Sequence, residues 1–316
     1  MKLRYGIIST AGITERFLHA VEEASDLVQA IASRSLDKAS AMADKYQIPS
    51  YYGSYEELYE DKDIDIVYIA TNNATHVQEV SKALDHHLHV LCEKPIALCE
   101  TDANFLFEKA KDVGCFLMEA QKSVFLPVSN DIFHIIQNKT YGRLRQVDMS
   151  SSFPNPSAAW MHDPTQGGVV YGSASYTLEY LMVLLQSPLS KVQAIGTKEI
   201  NGTCDHIAMN VMIKDTLINS RITMKTQTRH HAIFYFDHAY IEVPSYWKAR
   251  EYTIYKDGCT ETVSYPVTYE MCYEVTHTHE CIEQKLLTSP LMTPDISISC
   301  CRWVDEILKQ LDESSS

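Results

Sequence analysis

The chain has 316 residues, 45% of them hydrophobic and 22% charged, the balance of a globular protein long enough for two separate cores. A formal charge of -14, with no cluster of Lys and Arg, argues against nucleic acid or any other polyanion as a partner. The longest apolar runs, such as residues 181–185, fall far short of a membrane span, and Met1-Lys2-Leu3-Arg4-Tyr5 enters a strand pattern without the layout of a signal peptide.

Residues 1–121 alternate short apolar runs with helical patterns. Strands are expected over 3–8, 27–33, 66–70, 90–93 and 116–119. Helices are expected over 13–24, 36–46 and 75–87, with another starting near Thr101 as N-cap and closing at Gly114. Strands separated by helices of this length mean βαβ units and a parallel sheet covered on both faces, a doubly wound Rossmann-type domain. From residue 122 to 316 the texture changes. A helix over 128–138 leads through Gly142 to longer, β-branched stretches at 144–153, 192–197, 206–213, 217–224, 232–236, 239–243, 252–255 and 261–265. Such runs predict an α/β domain with an open, mostly antiparallel sheet. Two helices close the chain: one with a stripe of Cys272, Val275, His279, Ile282 and Leu286, the other over 295–311 with Cys301, Val304, Leu308 and Leu311 on one face. The final helix is free to pack back on the first domain, and Ser314-Ser315-Ser316 reads as a frayed tail.

Nine cysteines are scattered without a Cys-x-x-Cys, an odd number that fits free thiols in a reducing cytoplasm and no disulfide framework. No metal site is expected. His277-Thr278-His279-Glu280 has two histidines, but residues two apart on a helix do not share a face, so each is read as a packing or surface histidine.

Candidate chemistry concentrates at strand ends. After the first strand the loop reads Ser9-Thr10-Ala11-Gly12-Ile13-Thr14. The three fingerprint positions of a dinucleotide loop hold Ser, Ala and Thr, small enough to admit a phosphate to the helix N-terminus, with Gly12 supplying one flexible position. A tight structural turn accounts for the same residues. The second strand ends Ala32-Ser33-Arg34-Ser35, without the acid that accepts from the ribose of NAD; Ser33 and Arg34 suit a 2′-phosphate, so NADP is preferred over NAD. Ser35 also reads as a simple helix cap. The most informative stretch is Cys92-Glu93-Lys94-Pro95-Ile96-Ala97, where Pro95 ends a buried strand and leaves a carboxylate and an amine side by side at its carboxyl end.

Together with Thr71-Asn72-Asn73-Ala74-Thr75-His76, Glu119-Ala120, Gly167-Gly168 leading to Tyr176, and Tyr273-Glu274-Val275 to Ser289-Pro290-Leu291-Met292, these features resemble the glucose–fructose oxidoreductase / inositol dehydrogenase / MocA (Gfo/Idh/MocA) family along nearly the whole chain. Ala-Ser-Arg-Ser is most like its dihydrodiol-dehydrogenase-like members. The resemblance implies an NAD(P)-dependent oxidoreductase acting on a hydroxyl or carbonyl of a small polyol, sugar or cyclic diol. It also implies a homodimer formed through the second sheet. It assigns catalysis to Lys94, Glu93 and Tyr176. Cofactor contacts fall to Ser9, Thr10, Ala11, Gly12, Ile13, Ser33, Arg34, Thr71, Asn72, Asn73, His76, Glu93, Lys94 and Glu119. The family's aspartate after the Gly-Gly turn is replaced by Gly172, its usual Trp and Arg near Glu119-Ala120 by Gln121-Lys122-Ser123-Val124, and its proline between Thr71 and Asn73 by Asn72. Two readings of that departure remain: a divergent substrate, or a cofactor-binding regulatory protein without chemistry.

Overall fold

A computed structural model describes residues 2–313; the tail Ser314-Ser315-Ser316 lies outside the described residues. The chain forms two compact units, Met1–Gln121 with Thr268–Ser297, and Lys122–Val267 with Ile298–Ser316.

The first unit is built on β1 (Arg4–Ile8), β2 (Leu27–Ala32), β3 (Ser50–Tyr52), β4 (Ile66–Ile69), β5 (His89–Glu93) and β6 (Leu117–Ala120). All five pairings are parallel and the order is β3-β2-β1-β4-β5-β6, so the winding reverses between β1 and β4. That reversal opens a crevice at the carboxyl ends of the strands. Crossovers are made by α1 (Gly12–Glu23), α2 (Leu36–Tyr46), α3 (Tyr55–Tyr59), α4 (His76–Asp85) and α5 (Glu100–Val113). The strands read as unbroken apolar runs because both faces are covered: Ile7, Ile8, Ile31, Val67, Val90 and Leu91 are all fully buried. Phe17 of α1 stacks on Tyr68 of β4 and meets Tyr5 of β1 edge-on, which fixes the helix that opens the crevice against the two central strands.

In the second unit, β7 (Leu144–Ser152), β8 (Lys191–Lys198), β9 (Cys204–Ile213), β10 (Thr216–Thr223), β11 (His231–Phe236), β12 (Tyr240–Pro244), β13 (Glu251–Lys256) and β14 (Cys259–Ser264) form one sheet in the order β14-β13-β12-β11-β7-β10-β9-β8. Every pairing is antiparallel except β7 with β10. One face is covered by α7 (Gly168–Leu185), and alternation along β9 buries Ile207, Met209, Val211 and Ile213 on that side. The other face is open. It exposes Ile195, Met212, Leu217 and Tyr240, each to 40% or more. Of the remaining helices, α6 (Pro127–Gln137) belongs to this unit, α8 (Cys272–Glu283) to the first, and α9 (Pro294–Glu313) to this unit from Ile298 onward.

Several sequence expectations shift. β3 and α3, only three and five residues long, carry too little periodicity to be seen in advance. The cap of α5 is Cys99, and Thr101 lies inside its first turn, while Gly114 closes the helix with φ 71° as expected. The buried face of α8 runs through Val275, Thr278 and Cys281; His279 and Ile282 are half-buried, and Leu286 lies beyond the helix and is exposed. On α9, Ile307 is fully buried where Leu308 was expected. All nine cysteines are free. No described helix is long and apolar enough to cross a membrane.

Candidate active site

Strand ends in the first unit bring the expected cofactor residues to one edge of the sheet. Ser9 leaves β1 with φ 107°, its amide bonded to the Ala32 carbonyl at the end of β2 (3.0 Å). Ser9 Oγ accepts the Ala11 amide (3.1 Å), and the Ser9 carbonyl accepts the hydroxyl of buried Thr14 (3.1 Å). The flexible position is therefore Ser9, not Gly12, which is already helical. A Cβ added to Gly12 would meet nothing within 4 Å, so open space lies before the first turn of α1. That turn presents amides without intrahelical acceptors, and Thr10, Ala11 and Ile13 flank it half-buried. The loop thus fits a pyrophosphate despite lacking the glycine fingerprint.

At the end of β2, Ser33 is nearly buried and takes the Ser35 amide on its Oγ (3.3 Å), and Arg34 is exposed beside it. Ser35 occupies the cap position of α2 but makes no side-chain cap bond. Burial raises the Tyr55 hydroxyl, and the neighbouring Arg34 guanidinium partly offsets this. No carboxylate stands at positions 33–35.

The loops after β4 and β5 are tied together by His76. Its Nδ1 lies 2.8 Å from the Pro95 carbonyl and its Nε2 3.2 Å from the Thr71 carbonyl. The ring is fully buried, and desolvation lowers its pKa although both carbonyls and Glu93 favour the charged form. Thr75 Oγ1 bonds Thr71 Oγ1 (2.9 Å) and the Asn72 carbonyl (2.8 Å), which shapes a turn where Asn72 is exposed and Asn73 buried. Glu93 and Lys94 are half-buried at the end of β5. The Tyr68 hydroxyl donates to Glu93 Oε1 at 2.6 Å, a contact the sequence concealed because Tyr68 sits in an apolar run. Glu119, only 1% exposed, accepts the Ile96 amide on Oε1 (3.0 Å). His76 and Glu119 are thus buried side chains bonded to the backbone of these loops.

Tyr176 belongs to the second unit. It is half-buried on α7, with its ring 6.4 Å from that of Trp247. The preceding Gly-Gly pair has a packing cause. A Cβ at Gly167 would fall 2.2 Å from the Trp160 carbonyl oxygen, and one at Gly168 (φ +70°) 2.4 Å from that of Cys204. At Gly172, one turn before Tyr176, a Cβ would stand 3.0 Å from Met161 Cε and 3.2 Å from its Sδ. The two histidines of α8 are both structural: His277 Nε2 lies 2.8 Å from Ser289 Oγ, and His279 Nδ1 2.8 Å from Asp26 Oδ1. Among the described residues no cluster of His, Cys, Asp and Glu is arranged to hold a metal ion.

Comparison with known proteins identifies the family. The family model described as an oxidoreductase family with an NAD-binding Rossmann fold matches residues 3–121, and the GFO/IDH/MocA C-terminal domain matches residues 131–244. The protein belongs to the Gfo/Idh/MocA family of NAD(P)-dependent oxidoreductases. It is 29% identical to a trans-1,2-dihydrobenzene-1,2-diol dehydrogenase of Xenopus laevis over 328 residues, 98% of each chain. It is equally 29% identical to a D-xylose 1-dehydrogenase (NADP(+)) of Haloferax volcanii over 325 residues, 99% of each. Among solved structures, the 3-ketoreductase KijD10 from Actinomadura kijaniata, in complex with NADP and TDP-benzene, shares the fold with a TM-score of 0.89 at 20% identity over 98% of both chains. The aldose-aldose oxidoreductase from Caulobacter crescentus does so with 0.89 at 18% identity, over 99% of this chain and 98% of that one.

His76 yields a pH prediction. Its pKa is lowered below 6.5 by burial, so as pH falls the unfolded chain is protonated first, and the stability held above pH 6.5 is lost below it. In denaturant titrations the stability gap between wild type and His76→Asn should stay level from pH 8 to about pH 7 and narrow as the pH falls through 6.5 to 5.5; a gap independent of pH would contradict this.

Proposed function

We propose that the enzyme transfers a hydride between NADP and a hydroxyl or carbonyl of a small polyol, sugar or cyclic diol. The observation that carries this reading is Glu93-Lys94 at the carboxyl end of β5, in the row of strand ends that includes the switch point between β1 and β4. The named activities of the relatives, on a dihydrodiol and on xylose, support the substrate class. When bound, the nicotinamide supplies the hydride acceptor or donor. The chain's own task is the proton on the substrate oxygen. Lys94 is the group that holds and moves it, Glu93 orients Lys94 while held by Tyr68, and Tyr176 is assigned an assisting role. Ser9, Thr10, Ala11, Gly12 and Ile13 receive the pyrophosphate, Ser33 and Arg34 the 2′-phosphate, and Thr71, Asn72 and Asn73 the nicotinamide end. His76 and Glu119 keep those loops in place.

The open sheet face supports a homodimer, because Met212 of β9 and Leu217 of β10 lie directly opposite each other and exposed there, with Ile195 of β8 exposed farther along the same face. Seven buried thiols, with no disulfide among the nine free cysteines, support the cytoplasm as the compartment.

Three outcomes test this reading. Lys94→Ala should lower kcat by about 10²–10⁴-fold on any substrate found in a polyol, sugar and diol panel, with NADPH binding retained; full turnover would refute the assignment. Arg34→Ala should reduce the NADP-to-NAD ratio of kcat/KM roughly tenfold or more, as expected for loss of a charged contact. An unchanged ratio would place the 2′-phosphate elsewhere. Leu217→Arg should shift the sedimentation mass from dimer to monomer, and an unaffected dimer would move the interface off this face.

A further inference from the structure

Sixteen of the eighteen residues of α7 are buried, and the two that are not are Tyr171 and Tyr176. Gly172 lies one turn before Tyr176 on the same face. Side chains on a helix lean toward its N-terminus, so Tyr176 covers the surface over residue 172. No side chain rises there from the helix itself. The space is taken by the thioether of Met161, whose Cε and Sδ lie 3.0 and 3.2 Å from where a Cβ of residue 172 would stand.

Met161 is held firmly in that notch. It sits in a short turn, Ala159–His162, whose His162 carbonyl accepts both Asn201 Nδ2 (2.7 Å) and Thr203 Oγ1 (2.8 Å) from the β8–β9 connection. The His162 ring is clasped between the Pro156 carbonyl (3.0 Å) and Glu199 (3.2 Å). Gly167 lets the start of α7 approach the Trp160 and Met161 backbone more closely than any other residue would allow. The turn therefore delivers one buried apolar side chain to one place.

We infer that Met161, seated in the Gly172 notch beside Tyr176, is a specificity residue that selects substrates presenting an apolar ring edge there. The inference rests on the dehydrogenase reading above, which places Tyr176 at the substrate. A thioether is a weak acceptor and no donor, so a hydroxyl pressed against it loses its water without a replacement partner. A cyclic vicinal diol, with hydroxyls on one edge and methylenes on the other, satisfies both Tyr176 and Met161. A ring hydroxylated all round does not.

The test compares trans-cyclohexane-1,2-diol with a cyclohexanehexol, at saturating NADP, in wild type, Met161→Leu and the double variant Met161→Ala/Gly172→Asp. Wild type should favour the diol in kcat/KM by about 10–100-fold, the range an apolar pocket achieves against an added hydroxyl. Met161→Leu, still apolar, should keep that preference. The double variant should lose at least tenfold of it, chiefly through KM for the hexol. A wild-type preference for the hexol, or a ratio untouched in the double variant, overturns the inference. A second readout needs no turnover: in methyl-¹³C-methionine protein with NADPH bound, the Met161 signal, assigned by its loss in Met161→Leu, should move on adding the diol. Turnover of the diol with an unmoved Met161 signal ends the inference and leaves the dehydrogenase reading intact. A moved signal without turnover of any panel member ends the dehydrogenase reading and, with it, the specificity role, leaving only a binding contact at Met161.

Discussion

The first unit's site depends on how buried backbone groups are satisfied where β4 and β5 end. A strand that stops inside a crevice leaves carbonyls and amides without ladder partners, and an unpaired buried group costs about 1–3 kcal/mol. Here buried side chains take up that load. His76 meets the Thr71 and Pro95 carbonyls with its two ring nitrogens, and Glu119 takes the Ile96 amide. Tyr68 adds a bond to the Glu93 carboxylate. The segment carrying Lys94 is thereby anchored on both sides by groups that do not move with solvent. A lysine has a flexible stem, so where its ammonium can be held depends on the rigidity of the backbone it leaves.

His76 shows the electrostatic tension this creates. Two carbonyl acceptors are best served by a doubly protonated ring, yet complete burial disfavours the charge and prevails. A neutral ring donates to one carbonyl only, and the shorter contact, to Pro95, is the natural choice for the proton. The Pro95 side of the clamp is then the stronger one, on the very loop that carries Lys94.

Much of this was legible in the chain. The βαβ rhythm of residues 1–121 and the β-rich texture beyond give the two sheets, because strand and helix periods differ and Gly114 or Pro95 punctuate them strongly. The position of Glu93-Lys94 at a strand end follows from Pro95 alone. Other features were hidden for definable reasons. The positive φ at Ser9 is invisible because a serine rarely takes it; the Oγ bond to the Ala11 amide and the tie to Ala32 hold it there. Cys99 caps α5 without a side-chain bond, so the better-looking Thr101 misleads. The buried face of α8 is rotated toward Thr278 because the Thr278 hydroxyl is satisfied within the helix by the Glu274 carbonyl, which makes a polar residue acceptable inside.

The second unit shows where local reading stops altogether. Gly172 looks like a loss when only the helix is considered, since an acid is expected and nothing replaces it in sequence. The space is filled from eleven residues upstream, by Met161 of the Ala159–His162 turn. Gly167 and Gly168 are then not a signature of catalysis in themselves; each is required by a backbone lying against the start of α7, the first by Trp160 and Met161, the second by Cys204. The same close approach that demands those glycines also sets Met161 over residue 172. The packing at the start of this helix and at residue 172 therefore has one cause, and a change that loosened the Ala159–His162 turn would alter the surroundings of Tyr176 without touching it.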